Sequence, residues 1–188
     1  MKPVKKILAL ILAGVMALAL LTGCGKATSL NRTVAEGLAE YTKSLLAQQE
    51  NKNNISVSYQ VPELSRNIAP LFDENWITKD NSGDDVLNRN HTVNGKTVEA
   101  TLTDILSPYN STSAVNFLAA DVTDVKTPSM EASNLVNSLM NLLIVNGEVK
   151  NDSYVEIDYA SITSLKIAVT HKTVNGRTYA LAVAIIEK

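Results

Sequence analysis

The sequence predicts an α+β fold, a three-layer α-β-α sandwich around a mostly antiparallel sheet. Three observations carry that prediction. First, the apolar runs from Leu165 to Lys172 and from Thr178 to Ile186 flank a turn containing Asn175-Gly176, the short-range pattern of a β-hairpin. Second, Tyr179, Leu181, Val183 and Ile185 alternate with Ala180, Ala182 and Ala184, so both faces of that strand are apolar and both need a covering layer. Third, apolar residues recur at helical spacing in two other stretches, which can supply the covers.

The first of these stretches contains Leu30, Val34, Leu38, Tyr41 and Leu45, with Thr33-Val34-Ala35-Glu36 reading as a capping box and an end near Gln49. Ile55, Val57 and Tyr59 then alternate as a short extended segment. Pro62 opens a second helix that turns Leu64, Ile68, Leu71 and Phe72 inward, and Pro70 kinks or ends it. From Asp73 to Asp85 the chain is at its most polar and reads as a long surface loop. Val98, Leu102, Ile105 and Leu106 suggest a short helix, and Ala114 to Ala119 a strand. Thr127 and Pro128 are placed to cap and begin a long helix whose stripe is Ala132, Leu135, Val136, Leu139, Met140 and Leu143.

The N-terminus has a different character. Lys2, Lys5 and Lys6 precede an apolar run from Ile7 to Leu21, the composition of a signal peptide. That run ends at Thr22 and Gly23, short of the roughly 20 apolar residues a spanning helix needs. Leu21-Thr22-Gly23-Cys24 resembles the lipobox of bacterial lipoprotein precursors, in which a leucine and two small residues lead to the modified cysteine. The resemblance implies that residues 1–23 are removed and that Cys24 carries a diacylglyceryl thioether, often with a further acyl chain on its new α-amino group. Residues 24–29 then form a short lipidated tether and residues 30–188 the folded domain, anchored on the extracytoplasmic face of a bacterial membrane. Cys24 is the only cysteine, so no disulfide can form within the chain.

Charge narrows the partners. The chain has 17 basic and 19 acidic residues, and losing Lys2, Lys5 and Lys6 with the leader takes the net charge from −2 to about −5. The remaining basic residues are scattered singly, the wrong arrangement for a phosphate backbone, so nucleic acid is not an expected partner.

With its elements in this order, the chain from about Tyr41 to Lys188 resembles the CAP superfamily of SCP-like extracellular domains. Val61-Pro62-Glu63-Leu64-Ser65 looks like that family's second helix, and Asn90-His91-Thr92-Val93-Asn94-Gly95-Lys96 like its His-Thr-x-x-Gly loop. Val115-Asn116-Phe117 stands where the family has Glu-Asn-Ile, and Thr127 to Asn141 resembles its third helix with Leu139 for the usual Trp. Ile162 to Val169 and Tyr179 to Val183 resemble its closing strands. The resemblance implies a cleft around His91, Asn116 and Asn141. It also implies a degenerate one, because the family's two His and two acids reduce here to His91: Val115 replaces the Glu, and no acid stands near Asn141. One imidazole makes no zinc site, so no metal or cofactor is expected.

The function this suggests is a lipid-anchored binding or interaction module without catalysis, its partner an envelope protein, a glycan or a small apolar ligand. The rival is a hydrolase acting on envelope peptide or glycan through His91 and Asn116. His91 as a general base lacks an orienting acid, and a histidine in such a loop is more often simply hydrogen-bonded. Asp84-Asp85 with Asp73, Glu74 and Asp80 read as calcium ligands or as a solvated acidic loop, without EF-hand spacing. Phe72, Trp76 and Tyr59 read as the lining of a ligand groove or as core. Neither a serine-nucleophile motif nor a glycine-rich phosphate loop is present.

Overall fold

The computed structural model describes residues 30–50, 56–58, 67–109, 113–138, 142–145, 148–150 and 161–187. Within them lie three α-helices, α1 (Leu30–Glu50), α2 (Val98–Leu106) and α3 (Pro128–Asn137). The strands are β1 (Ser56–Ser58), β2 (Ile77–Lys79), β3 (Asp85–Leu87), β4 (Thr92–Val93), β5 (Lys96–Thr97), β6 (Ser113–Asp121), β7 (Leu142–Val145), β8 (Glu148–Lys150), β9 (Ser164–Val174) and β10 (Arg177–Glu187). Six strands form one sheet in the order β1-β9-β10-β6-β7-β8, antiparallel throughout except for the parallel pair β1–β9. The fold is α+β with a mostly antiparallel sheet, as its sequence predicts.

The hairpin β9–β10 is the centre of this sheet. Asn175 (φ 50) and Gly176 (φ 80) both take the left-handed conformation that a two-residue type I′ turn requires. From that turn the register follows, with Val174 opposite Arg177 and Ser164 opposite Glu187. Tyr179, Leu181, Val183 and Ile185 enter one core with Val115, Phe117, Leu142 and Ile144. Ala180, Ala182, Ala184 and Ile186 enter the other with Leu165, Ile167 and Val169. The small alanine face lies under α1, through Val34, Ala35 and Leu38, and under α3, through Ala132 and Leu135. The opposite face is covered by Val98, Leu102 and Leu106 of α2 together with Ile68, Phe72, Trp76 and Leu87.

Four expectations need correction. Helix α1 already runs at Leu30, so Thr33 is inside its first turn rather than at its cap, and the Glu36 carboxylate accepts from Arg32 Nε at 2.7 Å instead. Leu71 was expected inward and is 47% exposed. Helical structure stops at Ile68, whose carbonyl takes both Leu71 N and Phe72 N, so Leu71 leaves the helical phase before Pro70 can be followed by another turn. The stretch from Asp73 to Asp85 is no featureless loop: it holds a 3-10 turn (Glu74–Trp76) and the ribbon β2–β3, with Ile77 opposite Leu87. Finally, Leu143 belongs to β7 and not to a long third helix, because Leu142-Leu143-Ile144-Val145 is an apolar run that pairs with β6 and is buried on both faces. The Pro62 helix through Leu64, Tyr59, Leu139, Met140 and Asn141 lie outside the described residues.

Folding lowers the proton affinity of two carboxylates, Glu187 at the end of β10 and Asp121 at the end of the neighbouring β6. Hydrogen bonds from Lys166 and Ser164 hold Glu187 below the usual carboxylate range. Burial alone would raise Asp121, but the Thr123 hydroxyl and backbone N–H, at 2.6 and 3.0 Å, and the charge of Arg177 outweigh it and bring it down. A carboxylate with a lowered folded pKa stabilises above its unfolded value of about 4 and loses that contribution as pH falls through the folded one. The melting temperature should therefore drop below about pH 4. Glu187→Gln, less stable than the parent at pH 7, should converge with it in acid, and melting curves that stay parallel down to pH 2 would refute this account.

Candidate functional site

Of the residues singled out in the sequence, His91 and Asn116 belong to different sides of the sheet. His91 sits in the turn before β4, where its N–H donates to Asn88 O at 3.0 Å and its carbonyl accepts from Val98 N at 2.9 Å. Val98 and Val93 pack into the core on the α2 side of the sheet. Asn116 is buried on β6 between Val115 and Phe117, which face that same side, so its own side chain points to the opposite face with Ala114 and Leu118. The sheet thus separates Asn116 from His91. Asn141 and Cys24 lie outside the described residues.

A cleft does form around Trp76. Asp73 starts its turn: the carboxylate accepts from Asn75 N at 2.8 Å and from Asn75 Nδ2 at 2.7 Å, and Trp76 N donates to Asp73 O at 2.9 Å. Asn88 N donates to Trp76 O at 2.7 Å, tying the turn to the end of β3. These bonds hold the indole inward against Phe72 (ring centroids 5.7 Å) and Phe117 (6.4 Å, edge to face), and Phe72 in turn meets Tyr179 at 5.0 Å. Trp76 is 1% exposed, and its indole N–H has no acceptor among the described residues.

The other wall comes from β4–β5 and α2. Asn94 (φ 51) and Gly95 (φ 81) make the tight turn between the two short strands, and Thr97 caps α2 by accepting from Ala100 N at 3.1 Å. Thr101 donates to Thr97 O at 2.9 Å, and Lys96 pairs with Asp104 across the rim. Between the walls is a cleft of about 530 Å³ whose floor is Phe72, Trp76 and Ile105, flanked by the exposed Leu71 and by Asp73, Asn94, Thr101 and the Lys96–Asp104 pair. That is a size suited to a small molecule, with an apolar floor and a polar edge.

A second depression, of about 250 Å³, is polar and lies against Lys79, Asp84, Asp85, Asp121 and Ser138. The carboxylates of Asp85 and Asp121 have partners already. Asp85 pairs with Lys79 at 2.5 Å, raising the lysine's proton affinity, and accepts from Asp121 N at 3.2 Å; Asp121 pairs with Arg177 at 2.5 Å. Asp80 accepts from Ser82 N and Asp84 N, closing the loop at Gly83 (φ 85). These acids act as turn caps and ion pairs. Among the described residues no group of three or more His, Cys, Asp or Glu could hold a metal ion.

One cluster went unnoticed in the sequence. His171 on β9 meets Asn31 Oδ1 with Nδ1 at 2.6 Å and Glu131 Oε2 with Nε2 at 2.8 Å, joining the starts of α1 and α3 to the sheet. The side chains of His171 and Glu131 are only 14% and 9% exposed. With both ring nitrogens engaged, neither is left free for a ligand, and the cluster serves as a clasp. Its partners stand 140 and 40 residues away, a distance at which no spacing rule operates. Among the described residues no helix is long and apolar enough to cross a membrane. No protein-family model matches this chain, and neither a curated protein nor a solved structure matches it.

Proposed function

We propose that this protein is a lipid-anchored extracytoplasmic binding module, held to a bacterial membrane through acyl chains on Cys24, whose ligand site is the cleft at Trp76. The observation that carries the binding role is the cleft itself: an apolar floor of Phe72, Trp76 and Ile105 and a polar rim. The anchoring role is supported by the basic leader, the apolar run and Leu21-Thr22-Gly23-Cys24. Helices against both faces of the sheet support a further reading of the domain as a degenerate CAP-like sandwich.

Fragment screening by NMR on the lipidated protein in nanodiscs tests the binding role. Hits should perturb the backbone amides of Leu71, Thr101 and Ile105, and Thr101→Arg, which places a long side chain in the cleft, should abolish them. Hits that survive Thr101→Arg, or a screen in which these amides never move, would sink the proposal.

A further inference from the structure

We propose that the end of the domain built from the first turns of α1 and α3 rests on the membrane surface, where Leu30 and Met130 enter the headgroup region as a second contact beside the lipid anchor. The inference rests on the reading of Cys24 as lipidated.

The two helices start at the same place. His171 meets Asn31 Oδ1 with Nδ1 at 2.6 Å and Glu131 Oε2 with Nε2 at 2.8 Å, so the first turns of α1 and α3 come together at one imidazole. Behind that point the helices share the core over the alanine face, through Val34, Ala35 and Leu38 of α1 and Ala132 and Leu135 of α3. In both first turns a polar side chain faces the sheet and its apolar neighbour faces out. Asn31 and Glu131 turn in to His171, and the Glu131 side chain is only 9% exposed, whereas Leu30 and Met130, one position before them, are 47% and 49% exposed. An amphipathic helix on a domain surface has the opposite arrangement. A single exposed Leu or Met is ordinary, but the same inversion on two adjoining helices marks a surface that meets something apolar.

What meets it follows from the tether. With Cys24 lipidated, residues 25–29 separate the anchor from Leu30 and span at most about 20 Å, so the bilayer is an apolar phase always within reach. Two half-exposed side chains are too little to hold a free protein on a membrane, since even one myristoyl chain binds only marginally. On a short tether the same contact acts at an effective concentration of about millimolar, and a weak contact then suffices to orient the domain. Charge adds little of either sign: Arg32 is paired with Glu36, and exposed Lys126, just before the cap of α3, is accompanied by exposed Asp124. The contact is therefore apolar and needs no anionic lipid.

The test places the full lipidated protein in phosphatidylcholine nanodiscs doped with a lipid that carries a nitroxide on its acyl chain, and reads the broadening of backbone amide signals by NMR. The tether alone keeps α1 near the surface, so α3 is the informative reporter. The amides of Ser129, Met130 and Glu131 should be broadened severalfold more than those of Ser164 and Glu187 at the open end of the hairpin. Leu30→Gln combined with Met130→Gln should lower the ratio of docked to free domain at least roughly tenfold and bring the two sets of signals to one level. The swap Leu30→Met with Met130→Leu keeps the apolar surface and should leave the pattern in place. Equal broadening at the two ends of the parent domain, or a pattern that survives the double substitution by Gln, overturns the inference and leaves the anchor standing. Signals of α3 that move with the number of protein copies per disc assign the surface to a second copy and overturn it as well. A Cys24 that gains no acyl mass removes the anchoring role and this inference together.

Discussion

Trp76→Ala is expected to lower the free energy of unfolding by about 3 kcal/mol, the largest effect of any single truncation around the cleft. Trp76 is enclosed, touches Phe72 and Phe117, and ties the Asp73 turn to β3 through its carbonyl, so the cavity left behind cannot easily collapse. Truncating a buried Trp or Phe costs about 3–5 kcal/mol. The lower end applies here because the substitution also removes a buried donor that lacks an acceptor, and burying such a group itself costs about 1–3 kcal/mol. For a domain of this length the melting temperature should fall by about 6–12 °C. Leu71→Ala, at the exposed lip of the same cleft, should change stability by less than about 0.5 kcal/mol. Urea unfolding of the two variants checks both numbers, and a loss below about 1 kcal/mol for Trp76→Ala would mean that the indole does not anchor this face.

How readily each part was legible in the sequence follows from the range of the interactions that build it. The hairpin β9–β10 could be read because alternation and an Asn-Gly turn are local signals, and its two apolar faces called for a layer on each side of the sheet. The start of α3 was equally local, with Thr127 accepting from Met130 N at 3.3 Å ahead of Pro128. Strand β7 was hidden because its four apolar residues continue the stripe of the helix before them, and only pairing with β6 distinguishes the two states. The β2–β3 ribbon was hidden by its polarity; what fixes it is the burial of Trp76 in front of it, a tertiary effect. The site divides the same way. Phe72 and Trp76 were candidates from their aromatic character, but Thr101, Asp104 and Ile105 come to the cleft from α2, and nothing in the linear order places that helix over the Asp73 turn.

The second large effect concerns position. Cys24→Ala should release the protein from membranes or stop its processing, which fractionation of cells and the mobility of the precursor would show together. Each buried methylene contributes about 0.8 kcal/mol, so one acyl chain binds a membrane reversibly whereas two or three hold it durably, and losing all of them leaves no comparable attachment. With Cys24 lipidated as proposed, the residues between it and Leu30, able to span at most about 20 Å, would keep the start of α1 close to the bilayer. Helix α1 and the cleft lie on opposite faces of the sheet and are linked through the hairpin. Asn31, at the start of α1, is bonded to His171, four residues before the hairpin turn, and Asn175 in that turn donates to Glu74 Oε1 at 2.9 Å, two residues before Trp76. The hairpin thus connects the start of α1, which follows the proposed tether, to the Trp76 turn. Unchanged processing and unchanged membrane retention of Cys24→Ala would break the link between the anchor and the site.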